Sequence, residues 1–101
     1  MGKESRDKGY RGEHNLVNMF KSEDINAVRV PLSGATEFAK GDIILDNNLR
    51  CEVKVRKSGF KQIYDWLEDK DLLFVKSDRQ EYLCIMPISV FIKLFKGRDD
   101  R

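Results

Sequence analysis

"KGDIILDNNLRCEVKVRKSG", residues 40–59, places an aspartate at 42, a glutamate ten positions later at 52 and a lysine at 54, inside a run that otherwise reads as apolar sheet. Residues 42–46 and 50–56 read as the two arms of a hairpin. By the two-residue period of a strand, Cys51, Val53 and Val55 share one face, and Glu52, Lys54 and Arg56 share the other. A three-residue loop, Asp46-Asn47-Asn48, closes on Leu45 and Leu49 and sets Asp42 opposite Glu52. That register gathers Ile43, Leu45, Cys51, Val53 and Val55 on one apolar face. A two-residue loop would slip the arms by one, put Ile43 beside Glu52 and spoil the separation of faces, so the three-residue loop is the prediction.

Outward from the hairpin, Leu16, Val17 and Phe20 mark one face of a helix from about Lys8 to Glu23, with Glu13 at the edge of that face. "NAVRVP" is a short strand that Pro31 ends. "LSGATEFAKG" is a loop long enough to carry function. After the hairpin, Phe60, Ile63, Tyr64 and Leu67 have helical spacing, which predicts a helix over 59–69 with Ser58 as its N-cap. "DLLFVK" and "YLCIMP" follow as strands around the turn "SDRQE". Pro87 opens a last helix striped by Ile88, Phe91, Ile92 and Phe95. Val90 and Leu94 lie off that stripe, and either widen the core face or meet a second subunit. The order is helix, three strands, helix, two strands, helix.

At 101 residues, with 41% apolar and 36% charged residues, the chain is expected to be a single folded domain, 1–101, with flexible ends at 1–8 and 97–101. The formal charge is +2, but its distribution is uneven. Residues 50–61 carry five cations (Arg50, Lys54, Arg56, Lys57, Lys61) against the single acid Glu52, a net of +4. Residues 62–82 carry six acids against three cations, a net of −3. The basic strip reads either as a footprint for a polyanion or as solvated surface. Cys51 and Cys84 form no CxxC pattern and His14 is the sole histidine, which argues against structural zinc. Both cysteines fall in apolar strands and are expected as free thiols in the core of an intracellular protein. No apolar run reaches the roughly 18 residues of a membrane span and there is no signal-peptide core. A cytoplasmic protein without membrane contact is the expectation.

An acid two residues before a lysine is common on exposed strand faces, where it is an ordinary charge pair. Its company here points to more. Hard divalent cations take oxygen ligands, and Mg²⁺ is typically held by one or two carboxylates with water and substrate phosphate. Asp42 opposite Glu52, with the Val53 carbonyl beside them, would make such a site. Lys54 on the same face could orient or deprotonate the attacking water and stabilise charge on a phosphate. Lys57 and Lys61 are suited to phosphate contacts, which need charge rather than exacting geometry. Weaker candidates are His14, about 100° round the helix from Glu13, the acids Glu37 and Asp46, and the aromatics Tyr64 and Trp66, which stack on bases or cover a core edge.

The pattern "GD(x)9ExK" with its flanking strands resembles the PD-(D/E)xK nuclease superfamily. With "YRGEHNLVNMF" before it and "VRVPLSGA" between, the wider pattern looks like the archaeal-type Holliday-junction resolvases, over roughly residues 8–92. The resemblance implies an α/β, restriction-endonuclease-like αβββαβ core, with a central mixed sheet flanked by helices and a C-terminal helix. It implies Glu13, Asp42 and Glu52 as the acids of the metal site, with the Val53 carbonyl, Lys54 as catalytic lysine, and Ser33 as a loop serine near the scissile phosphate. It places Arg11 as a DNA contact; Arg29, Arg56, Lys57 and Lys61 complete the expected DNA-binding set. Gly41 departs from the pattern, standing where the family commonly has proline. The function so implied is a homodimeric, Mg²⁺-dependent endodeoxyribonuclease, with Mn²⁺ as a substitute, that nicks four-way junctions symmetrically. The alternatives are another nuclease of that fold, acting on flaps, mismatches or duplex, and a non-catalytic DNA-binding module.

Overall fold

The computed structural model describes residues 2–30 and 43–97, and the chain divides into two compact units, residues 1–55 and 56–101. The described elements are α1 (Gly2–Ser22), β1 (Ala27–Arg29), β2 (Ile43–Leu45), a 3-10 turn (Asp46–Asn48), β3 (Arg50–Cys51), α2 (Lys61–Leu67), β4 (Leu73–Val75), β5 (Leu83–Ile85) and α3 (Ile88–Gly97). Their order is the one the sequence predicts, and the class is α/β.

In the first unit, α1 buries Val17 and Phe20 and half-buries Leu16, the face its periodicity marks. The helix stops without glycine. Asp24 takes the left-handed conformation (φ 63°), the Ile25 amide donates to the Phe20 carbonyl at 2.9 Å, and the Asp24 amide donates to the Lys21 carbonyl at 3.0 Å. This is a Schellman ending, and Phe20 and Ile25, the two residues whose apolar contact usually completes it, are both buried.

The chain then enters a three-stranded antiparallel sheet ordered β1-β2-β3. Ala27 faces Leu45 and Arg29 faces Ile43, while Ile43 faces Cys51 and Ile44 faces Arg50. The Leu45 amide donates to the Leu49 carbonyl at 2.9 Å across Asp46–Asn48, and Asn48 is left-handed (φ 59°). A three-residue turn ending in a left-handed residue is a common hairpin closure, and it sets the register expected from the sequence. Asn26 braces the turn, its side-chain amide donating to Asp46 Oδ1 at 3.0 Å. The covered face of the sheet holds Ala27, Ile43 and Leu45, which with Val17, Phe20 and Ile25 are the buried apolar residues of the described chain. Val28, 62% exposed, and Arg50 mark the open face.

The second unit is shallower. Strands β4 and β5 pair antiparallel, Leu73 with Ile85, Phe74 with Cys84 and Val75 with Leu83. α2 spans 61–67 rather than 59–69. Gly59 turns the chain in the left-handed region (φ 110°), so Phe60 rather than Ser58 takes the N-cap position. Phe60, Ile63 and Leu67 are half-buried, but Tyr64 stands 73% exposed: the apolar stripe is narrower than its spacing suggests. In α3, Phe91 and Phe95 stack at 5.3 Å between ring centroids, Val90 joins the half-buried face and Leu94 stays 54% exposed. None of the described residues of this unit is buried, as expected of a hairpin and two short helices enclosing little volume.

Two expectations are corrected here. The described strands form two antiparallel sheets, not one mixed sheet. The short 76–82 connection imposes antiparallel pairing on β4 and β5, since a parallel pair needs a crossover of a dozen or more residues. Cys84, expected in the core, is exposed, on the same side of the hairpin as its exposed partner Phe74; Cys51 is half-buried, and neither is in a disulfide. No helix among the described residues is long and apolar enough to cross a membrane.

Candidate functional site

Strand alternation decides where each charged side chain of the first unit lies. Arg29 follows Ala27 by two residues and so belongs to the covered face, toward α1. There its Nε donates to Glu13 Oε1 in an ion pair whose side chains are 26% and 16% exposed. A charge so sheltered from water needs a partner, and each of these residues supplies the other's.

Beyond Cys51, where β3 ends, side chains still alternate between two sides. Gly12 of α1 lies against both Val53 and Val55, which therefore point to the helix. Glu52 and Lys54 point away, and their side chains pair at 2.8 Å with 62% and 55% of their surfaces exposed. A pair this exposed is worth roughly 0–1 kcal/mol, so either partner can exchange it for a ligand at little cost.

The residues marked by the sequence thus fall into two pairs, Glu13 with Arg29 and Glu52 with Lys54. Ser33 and Asp42 lie outside the described residues, as does the expected pairing of Asp42 with Glu52. The described part of the hairpin has the register on which that pairing was predicted. Among the described residues no group of three or more His, Cys, Asp or Glu side chains is gathered as a metal cage. The donors at hand, the Glu52 carboxylate and the Val53 carbonyl, are hard oxygens of the kind Mg²⁺ takes.

Of the expected DNA contacts, Arg11, Arg56 and Lys57 are exposed. Lys61 is exposed and bonded to Asp65 at 2.8 Å, one helical turn on. Arg29 is the exception, being engaged by Glu13. The sequence reading missed Gly12. A glycine inside a helical pattern costs about 1 kcal/mol against alanine and so asks for a packing reason, and that was the available signal. No protein-family model, curated protein or solved structure matches this chain.

Proposed function

We propose that the protein is a metal-dependent endodeoxyribonuclease with a restriction-endonuclease-like core, acting in the cytoplasm in DNA recombination and repair as a homodimeric resolvase of four-way junctions. The observation that carries the reading is the Glu52–Lys54 pair, solvent-facing, loosely held and lying just beyond a hairpin whose described register is the one predicted from the sequence. A purely structural charge pair needs neither the aspartate ten residues before it nor the run of basic residues that follows it in sequence.

In this reading Glu52 and Asp42 hold Mg²⁺ with the Val53 carbonyl and Ser33 lies near the scissile phosphate, while Glu13, engaged by Arg29 on the helix-covered face, stays outside that set and supports the fold. Bound Mg²⁺ would neutralise phosphate charge and acidify a water. Lys54 Nζ, released from Glu52, orients or deprotonates the attacking water and steadies the phosphate. Arg11, Arg56, Lys57 and Lys61 hold the DNA backbone, and positive charge without base-reading geometry suits recognition of shape over sequence. Two-fold symmetry would match paired nicks.

The test is cleavage of a labelled four-way junction with Mg²⁺, against linear duplex and flap controls. Paired symmetric nicks are expected from the wild type. Asp42→Ala and Glu52→Ala should abolish them while junction binding persists, and Lys54→Ala should slow them about 10²–10⁴-fold. Full cutting by Asp42→Ala or Glu52→Ala would remove the metal-site assignment. Preferential cutting of duplex or flaps would keep the nuclease and discard the resolvase, and junction binding without cleavage of any substrate would leave a DNA-binding module.

A further inference from the structure

We infer that Gly12 is a positioning residue for the Glu52–Lys54 pair: the missing side chain at this point of α1 lets the helix close on Val53 and Val55, and this seat fixes the segment that presents the pair. The inference rests on the nuclease reading and adds to it a determinant outside the acid–lysine motif.

Two observations converge. A Cβ built on Gly12 would lie 2.6 Å from Val55 Cγ2 and 3.7 Å from Val53 Cγ1 and Val55 Cβ. Carbon atoms pack at about 3.5–4.0 Å, so any side chain here must push helix and segment apart by about 1 Å or force Val55 to turn. Finally, Val53 and Val55 alternate with Glu52 and Lys54, so a displacement of the valines is a displacement of the charged pair. Alanine suits a helix interior better than glycine; the residue present therefore serves the approach and not the helix.

The test compares the wild type with Gly12→Ala, Val55→Ala and the double variant, all in the full chain. It reads amide hydrogen exchange at residues 53–55 and kcat and KM on a four-way junction with Mn²⁺. Gly12→Ala should speed exchange at these amides and lower kcat by about 10–100-fold, the scale of a 1 Å misplacement. KM should stay within about twofold, since the basic residues supply the binding. Val55→Ala alone, which keeps Val53 against the helix but loses part of the seat, should fall between the wild type and Gly12→Ala, and the double variant, lacking the colliding methyl, should recover both readouts to the level of Val55→Ala. Wild-type exchange and kcat in Gly12→Ala would overturn the inference. So would a double variant as impaired as the single one, or a loss confined to KM. If Gly12→Ala does not fold by circular dichroism, the double variant decides. A wild type that cuts no substrate would instead sink the nuclease reading, and exchange alone would then judge whether Gly12 fixes the segment.

Discussion

Glu13 and Arg29 have to be understood together. Each is mostly covered, each carries a charge, and the fold brings them into contact from elements 16 residues apart. Removing one takes from the other a charge partner in a sheltered place. Glu13→Ala and Arg29→Ala should each cost about 1–3 kcal/mol of stability. The double variant should cost less than their sum, with a coupling of about 0.5–3 kcal/mol. Urea denaturation of the four proteins measures this, and strictly additive losses would show that the pair does not matter to the fold. The result also governs how activity is read: lost cutting in Glu13→Ala counts toward a metal role only at matched folded fraction. In the sequence, Glu13 pointed to a metal and Arg29 to DNA. The alternation of Ala27 and Arg29 did show that the arginine shares a face with a small apolar residue. That α1 covers this face is a tertiary fact, and no local pattern states it.

At the scale of elements, the hairpin was the legible part, because its two candidate registers differ in every side chain they bury. One separates apolar from charged faces and the other mixes them, so the hydrophobic effect chooses between them before any turn geometry is known. The structure has the separating register, closed through left-handed Asn48. Shortening the turn is accordingly predicted to be severe. Deleting Asn47 leaves a two-residue loop, favours the slipped pairing and exposes Ile43, the one large side chain with no solvent exposure among the described residues. Thermal unfolding monitored by circular dichroism should show a lost or broadened transition. Asn48→Gly, which relieves the left-handed backbone, should instead hold or raise the midpoint. An unchanged midpoint in the deletion variant would mean that the turn does not set the register. Other boundaries were hidden for definite reasons. Asp24 ends α1 where no glycine announces it, and the spacing of Tyr64 fits the α2 stripe while its ring lies on the exposed edge. Periodicity locates a face but does not measure how wide a face the neighbours cover.

For the molecule as a whole, the question is what the uneven charge does. The cations of residues 50–61 are all exposed, in a chain whose formal charge is only +2. Junction affinity in the proposed function should therefore come from this strip and fall steeply with salt. Removing one cation that neutralises a phosphate should lower the slope of log K against log[salt] by about 0.9. The contributions should not be equal. Lys61 already holds Asp65 at 2.8 Å and must trade that partner for phosphate, whereas for Lys57 no such carboxylate stands in the way among the described residues. Lys57→Ala should thus weaken junction binding more than Lys61→Ala. Asp65→Ala should strengthen it, by freeing Lys61 and removing a negative charge. Fluorescence anisotropy between about 50 and 200 mM salt resolves all three. The same variants should leave kcat at saturating junction near wild type, because phosphate contacts remote from the bond that breaks contribute equally to ground and transition states. A Lys57→Ala protein with wild-type affinity and slope would show that the strip is solvated surface and not a DNA footprint. Equal losses at Lys57 and Lys61 would show that the Asp65 pair is too weak to compete with phosphate.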